Sequence, residues 1–134
     1  RQMCIRDSYT TIAGVIEKED STNEEFIVPE KLIDLYNDRN FGRYADSDGN
    51  LRVNFIDNND ITGGNSGSPV LNAHGELVGT AFDGNWEAMS GDIIYEQELQ
   101  RCISVDIRYI LFIIDKYAEA GYLIDEMTIA ESRK

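Results

Sequence analysis

Residues 60–86 read DITGGNSGSPVLNAHGELVGTAFDGNW, and this stretch decides the fold. SPVL and ELVGTAF are short β-rich runs separated by NAHG, which predicts two strands joined by a tight turn. Just before them Gly63-Gly64-Asn65-Ser66-Gly67-Ser68-Pro69 places a serine among glycines. A nucleophilic serine needs its hydroxyl exposed on a tight turn, with backbone N–H groups converging where an oxyanion develops. Small neighbours let a scissile carbonyl approach, and glycines reach the dihedrals such a turn requires. Taken alone the motif fits a plain glycine-rich β-turn equally well. An α/β-hydrolase elbow would need a helix after the serine, whereas Pro69 and a strand follow.

Outward from this centre, LRVNFID (51–57) alternates as a half-buried strand and QRCISV (100–105) is another short one. YTTIAGVIE (9–17) is β-branched and partly alternating, which predicts a strand. Pro29 suits the first turn of a helix near 30–38, where Leu32, Ile33, Leu35 and Tyr36 share helical spacing. DIRYILFIIDKYAEAG predicts a C-terminal helix near 106–119 terminated by Gly121. Trp86, Met89 and the apolar face of residues 107–117 read as core. The first eight residues, RQMCIRDS, show no periodicity and read as foreign sequence, which leaves residues 9–134 as one lobe.

The whole chain has 134 residues, with 12 Lys and Arg against 25 Asp and Glu, a net charge of -13. This field repels nucleic acid and anionic membrane surfaces, and it suits a partner carrying cationic groups such as peptide amino termini. The apolar run Tyr109 to Ile114 falls far short of the roughly 20 residues that span a bilayer. Cys4 and Cys102 lack metal spacing, and a single histidine makes a self-contained zinc site untenable. Asp46-Ser47-Asp48-Gly49-Asn50 imitates the start of a calcium loop, yet Leu51 stands where glycine is needed and a strand follows, so a polar turn is the better reading. No metal or cofactor is expected. His74 lies in the NAHG turn, which the hairpin points away from Ser66. Asp57 and Asp60 read as turn formers, and Cys102 as a buried thiol.

Gly-Asn-Ser-Gly-Ser-Pro followed by a strand resembles the signature of the chymotrypsin clan. DITGGNSGSPVLNAHGELVGTAFDGNWEAMSGD with QRCISVDIRYILFIIDKY resembles, more closely, the C-terminal end of bacterial serine dipeptidyl-peptidases of types 7 and 11. YTTIAGVIEKED and FIVPEKLIDLY extend the likeness across residues 9–134. The resemblance implies a mainly β fold, a trypsin/chymotrypsin-like β-barrel lobe forming the C-terminal half of a double barrel. It implies Ser66 as nucleophile, with the backbone N–H groups of Gly64 and Ser66 as oxyanion hole. In the clan's chain order the histidine and aspartate precede the serine, so this chain would be a C-terminal fragment lacking both. Phe82, Asp83 and Gly84 would line substrate. Asp83 either holds the substrate ammonium or is an ordinary carboxylate at a strand end. Acid-preferring members carry arginine where this chain has Gly84, so an apolar side chain is expected at the second substrate residue (P1). The implied partner is a peptide, with periplasmic or secreted localisation and a homodimer for the full-length form. A glutamyl endopeptidase of the same clan, or a non-catalytic peptide-binding barrel, are the rival readings.

Overall fold

The computed structural model describes residues 8–90 and 98–130. They divide into two compact units. One takes in residues up to Thr10 and Val53–Ile107, the other Thr11–Arg52 and residues from Arg108 onward.

The first unit is built on a five-stranded sheet. Its strands are β1 (Tyr9–Thr11), β2 (Arg52–Asp57), β3 (Pro69–Leu71), β4 (Leu77–Gly84) and β5 (Cys102–Asp106), in spatial order β1-β2-β5-β4-β3. The pairs β2–β5, β5–β4 and β4–β3 are antiparallel. Alternation drives this arrangement, since one face of each strand carries the core. Val70, Ala81 and Cys102 are buried there, with Phe55, Ile61 and Val78 packed against them. Gly79 is required by close approach: a Cβ there would lie 2.6 Å from both Phe55 Cε1 and the Val105 carbonyl oxygen. Within β5, Ser104, fully buried, donates to Asp57 Oδ2 at 3.0 Å. Asp57 Oδ1 accepts from the Asn59 N–H at 2.9 Å, so this carboxylate both forms a turn and ties two strands.

The second unit is helical, comprising α1 (Ile12–Glu17), α2 (Glu30–Asn37), α3 (Ile107–Phe112, entered directly from β5) and α4 (Gly121–Asp125). Its core holds Ile12, Leu32, Phe41, Tyr44, Leu51 and Phe112. Phe41 and Phe112 meet edge to face, with ring centroids 6.1 Å apart. Residues 46–50 form a turn closed by Asp46, whose Oδ1 accepts from the N–H groups of Asp48 and Asn50 while Oδ2 accepts from Arg52 Nε. Burial pushes the Asp46 carboxyl up, and these donors outweigh it, leaving the group below its ordinary value.

Three expectations need correction. Residues 9–17 are not one strand: β1 ends at Thr11 and α1 follows. Ile12, Val15 and Ile16 also satisfy i, i+3, i+4 spacing, and burial of Ile12 in the helical unit selects that period. The C-terminal helix changes character at Ile113–Tyr117, a π-helical turn in which the Ala118 N–H reaches the Ile113 carbonyl at 2.8 Å. Gly121 does not end that helix. Glu119 takes the left-handed conformation (φ 56°), and Gly121 opens α4, where a Cβ would approach Asp115 Oδ1 to 2.9 Å. Finally, Trp86 is 81% exposed instead of buried, because β4 ends at Gly84 and the following 3₁₀ turn sends the indole outward. The side chain of Met89 lies outside the described residues, as does Cys4 with the rest of residues 1–7.

Candidate active site

Ser66 sits in the loop that precedes β3, and three sets of bonds shape that loop. The Asn65 N–H donates to the Thr62 carbonyl at 3.1 Å, while Asn65 Oδ1 accepts the Thr62 N–H at 2.9 Å. The asparagine thereby clamps the Gly63-Gly64 turn from both sides. Gly67 donates to the Ala81 carbonyl at 2.8 Å, and Ala81 donates to the Ser68 carbonyl at 2.9 Å, which fastens the loop onto β4. Gly64 and Gly67 have φ of 100° and 90°, a region closed to side-chain-bearing residues without strain. The glycines flanking the serine are therefore demanded by the backbone. Among the described residues, the N–H groups of Gly64 and Ser66 donate to no protein acceptor.

On β4 the ladder with β5 shifts between Ala81 and Asp83, so Phe82 has no partner in the register. A bulge of this kind re-aims side chains and carbonyls beside a site. Here it turns the Phe82 carbonyl toward Ser66, whose hydroxyl donates to it at 3.3 Å. Asp83 is exposed, and its Oδ1 accepts the Gly84 N–H at 2.8 Å. Ser66, Phe82, Asp83 and Gly84 all line one cleft of about 230 Å³, together with Ile61, Thr62, Gly63, Asn85 and Ala88. Of the expected residues the cleft gathers Ser66, Phe82, Asp83 and Gly84, whereas Gly64 is not among its lining residues.

Asn85 is the residue that sequence reasoning missed. Its Nδ2 donates to the Leu99 carbonyl at 2.8 Å, and its Oδ1 accepts the Arg101 N–H at 2.9 Å and the Ala88 N–H at 3.2 Å. One side chain joins the end of β4, the turn after it and the segment leading into β5. An asparagine directly after Asp-Gly at a strand end was the available signal, since this amide can satisfy several loop backbone groups at once.

His74 stands apart from this cleft. It occupies the β3–β4 hairpin tip, where its own N–H donates to Asn72 Oδ1, at the end of β3 away from Ser66. It is the chain's single histidine. No group of three or more His, Cys, Asp or Glu suited to a metal occurs among the described residues. Cys102 is buried at 1% exposure, and burial raises its thiol pKa, so it is an inert core group. What the cleft offers chemically is the Ser66 hydroxyl, an exposed carboxylate and a wall without a side chain at Gly84, with the Gly64 N–H in the same loop but outside the cleft lining.

Comparison with known proteins gives the same region of sequence space throughout. The peptidase S46 family model matches residues 3–129. Dipeptidyl-peptidase 7 of Phocaeicola vulgatus is 63% identical over 123 residues, covering 92% of this chain and 17% of that protein. An Asp/Glu-specific dipeptidyl-peptidase of Porphyromonas endodontalis is 57% identical over 118 residues, covering 88% of this chain and 16% of its own length. The crystal structure of Porphyromonas endodontalis DPP11 in complex with the dipeptide Arg-Glu superposes with a TM-score of 0.89 at 53% identity. That match covers 94% of this chain and 18% of the solved one. The chain therefore spans roughly a sixth of the length of the curated relatives it matches.

Proposed function

Since this chain belongs to the peptidase S46 family, we propose that it is the nucleophile-bearing C-terminal part of a serine dipeptidyl-peptidase, folded as the second lobe of a chymotrypsin-like double barrel. The observation that carries the reading is the shared cleft of Ser66, Asp83 and Gly84. Ser66 attacks the carbonyl of the second substrate residue. The N–H groups of Gly64 and Ser66 stabilise the oxyanion, an effect worth about 2.7 to 4 kcal/mol per donor in comparable sites. A general base supplied by residues outside this chain takes the Ser66 proton, which releases the Phe82 carbonyl to accept a substrate N–H. Asp83 holds the free ammonium of the substrate. The attraction at 4 Å is about 1 kcal/mol in water and about 4 at the effective dielectric of a protein surface, enough to select unblocked termini.

Overall identity does not choose between the type 7 and the Asp/Glu-specific relatives, which differ by only 63% against 57%. Gly84 does. A wall with no side chain offers nothing to a P1 carboxylate, and Asp83 beside it repels one, so the proposed preference is apolar. Action on extracellular peptides, and hence a periplasmic or secreted location, goes with this reading. The test is digestion of unblocked and N-acetylated peptides by the full-length protein that carries this chain, followed by mass spectrometry. Stepwise loss of dipeptides from unblocked peptides alone supports the proposal. Internal cleavage, or indifference to acetylation, would favour an endopeptidase, and Asp or Glu at P1 would overturn the role given to Gly84.

A further inference from the structure

One wall of the cleft belongs to a residue that the chemistry above leaves idle. Ala88 lines the same cavity as Ser66, Phe82 and Gly84. Its methyl group faces Gly84, because a Cβ built at Gly84 would stand 2.8 Å from Ala88 Cβ. The space over Gly84 is thus bounded by Ala88 as much as by Gly84 itself.

Ala88 is also held in place. Its N–H donates to the Asn85 carbonyl at 2.9 Å and to Asn85 Oδ1 at 3.2 Å. Asn85 is anchored in turn by Nδ2 to Leu99, by Oδ1 from the Arg101 N–H, and by its own N–H to the Arg101 carbonyl at 3.0 Å. A turn tied this way to the lead-in of β5 has little freedom to retreat. Carbon atoms added at position 88 therefore enter the cleft of about 230 Å³ instead of pushing its wall outward.

We propose that Ala88 is a specificity-determining residue that limits the size of the P1 side chain. The inference rests on reading this cleft as the P1 pocket. A larger residue at 88 takes volume from a bulky P1 group and leaves a small one untouched. Apolar pockets discriminate by roughly 10- to 200-fold per methylene gained or lost, and that sets the expected scale.

The experiment measures kcat and KM of the full-length protein on paired dipeptidyl substrates ending in Ala, Leu or Phe with a common leaving group. Ala88→Val is expected to lower kcat/KM for Leu and Phe by at least about tenfold relative to Ala, mainly through KM, with the Ala-ending substrate little changed. Ala88→Gly, which adds no bulk, is expected to move the ratio the opposite way, toward Phe. Equal loss on all three substrates in Ala88→Val, with no ratio change in Ala88→Gly, would mean a purely structural role and overturn the inference. In that event dipeptide release by the wild type still stands. A wild type that releases no dipeptides would instead remove the pocket reading and this inference with it.

Discussion

Gly79 offers a sharp physical test because two opposed effects predict opposite signs. Gly79 is not among the residues of positive φ, so alanine can adopt its backbone conformation. If space allowed, Gly79→Ala would stabilise by about 0.4 to 1 kcal/mol by restricting the unfolded chain. Space does not allow it. The new Cβ would lie 2.6 Å from Phe55 Cε1, 2.8 Å from Phe55 Cζ and 2.6 Å from the Val105 carbonyl. Phe55 can rotate, but the Val105 carbonyl belongs to the neighbouring strand β5 and moves only with the ladder. Overpacking of this kind costs typically about 1 to 3 kcal/mol, so the net expectation is destabilisation of about 1 to 2 kcal/mol after the entropic gain. Hydrogen exchange of a peptide covering residues 77–84 in the full-length protein reads this locally, and the cost corresponds to roughly 5- to 30-fold faster exchange. Adding Phe55→Leu should recover only part of the loss, since the carbonyl contact remains. Slower exchange in Gly79→Ala, or full recovery in the double variant, would refute the close approach of β4 and β5.

Other outcomes follow from the same geometry. Gly84→Arg should shift relative kcat/KM from Leu toward Asp at P1; a charge-assisted hydrogen bond of about 1.5 to 3 kcal/mol sets an upper limit near 10- to 150-fold. The shift should fall below that limit because the new Cβ would stand 2.8 Å from Ala88 Cβ and strain that tethered wall, and an unchanged ratio with activity intact would remove Gly84 from the pocket. In the helical unit, burial and the 2.9 Å bond to Asp115 push the Tyr44 hydroxyl up to about 12. Its contribution to stability is complete below pH 10 and lost as pH rises toward 12. The absorbance titration at 295 nm of wild type minus Tyr44→Phe should show one transition near the upper value, and a transition near 10 would contradict the buried bond.

Local signals carried much of this architecture. The NAHG turn, the flanking strands and the helix at α2 were legible because turn chemistry and hydrophobic period agreed there. So was the serine loop, whose glycines at 64 and 67 are the ones that need positive φ. Residues 12–17 read as strand because Ile12, Val15 and Ile16 are β-branched, while the same three residues fit the helical period, and tertiary burial decides between them. The bulge at Phe82 leaves no mark in composition, although it sets where the carbonyl meets Ser66. Asn85 acts through bonds to residues 14 and 16 positions away, which no local window contains. Trp86 reads as core in the sequence pattern, and a pattern of apolar residues does not say which way a turn faces.

The central claim is that Ser66 is an activated nucleophile once the rest of the polypeptide supplies a base. Labelling of the full-length protein with a fluorophosphonate probe, followed by peptide mapping, tests it directly. Rapid stoichiometric modification at Ser66 is expected, with dipeptide release lost in step with labelling and neither labelling nor release in Ser66→Ala. Modification at a different serine, or dipeptide release that survives Ser66→Ala, would contradict it.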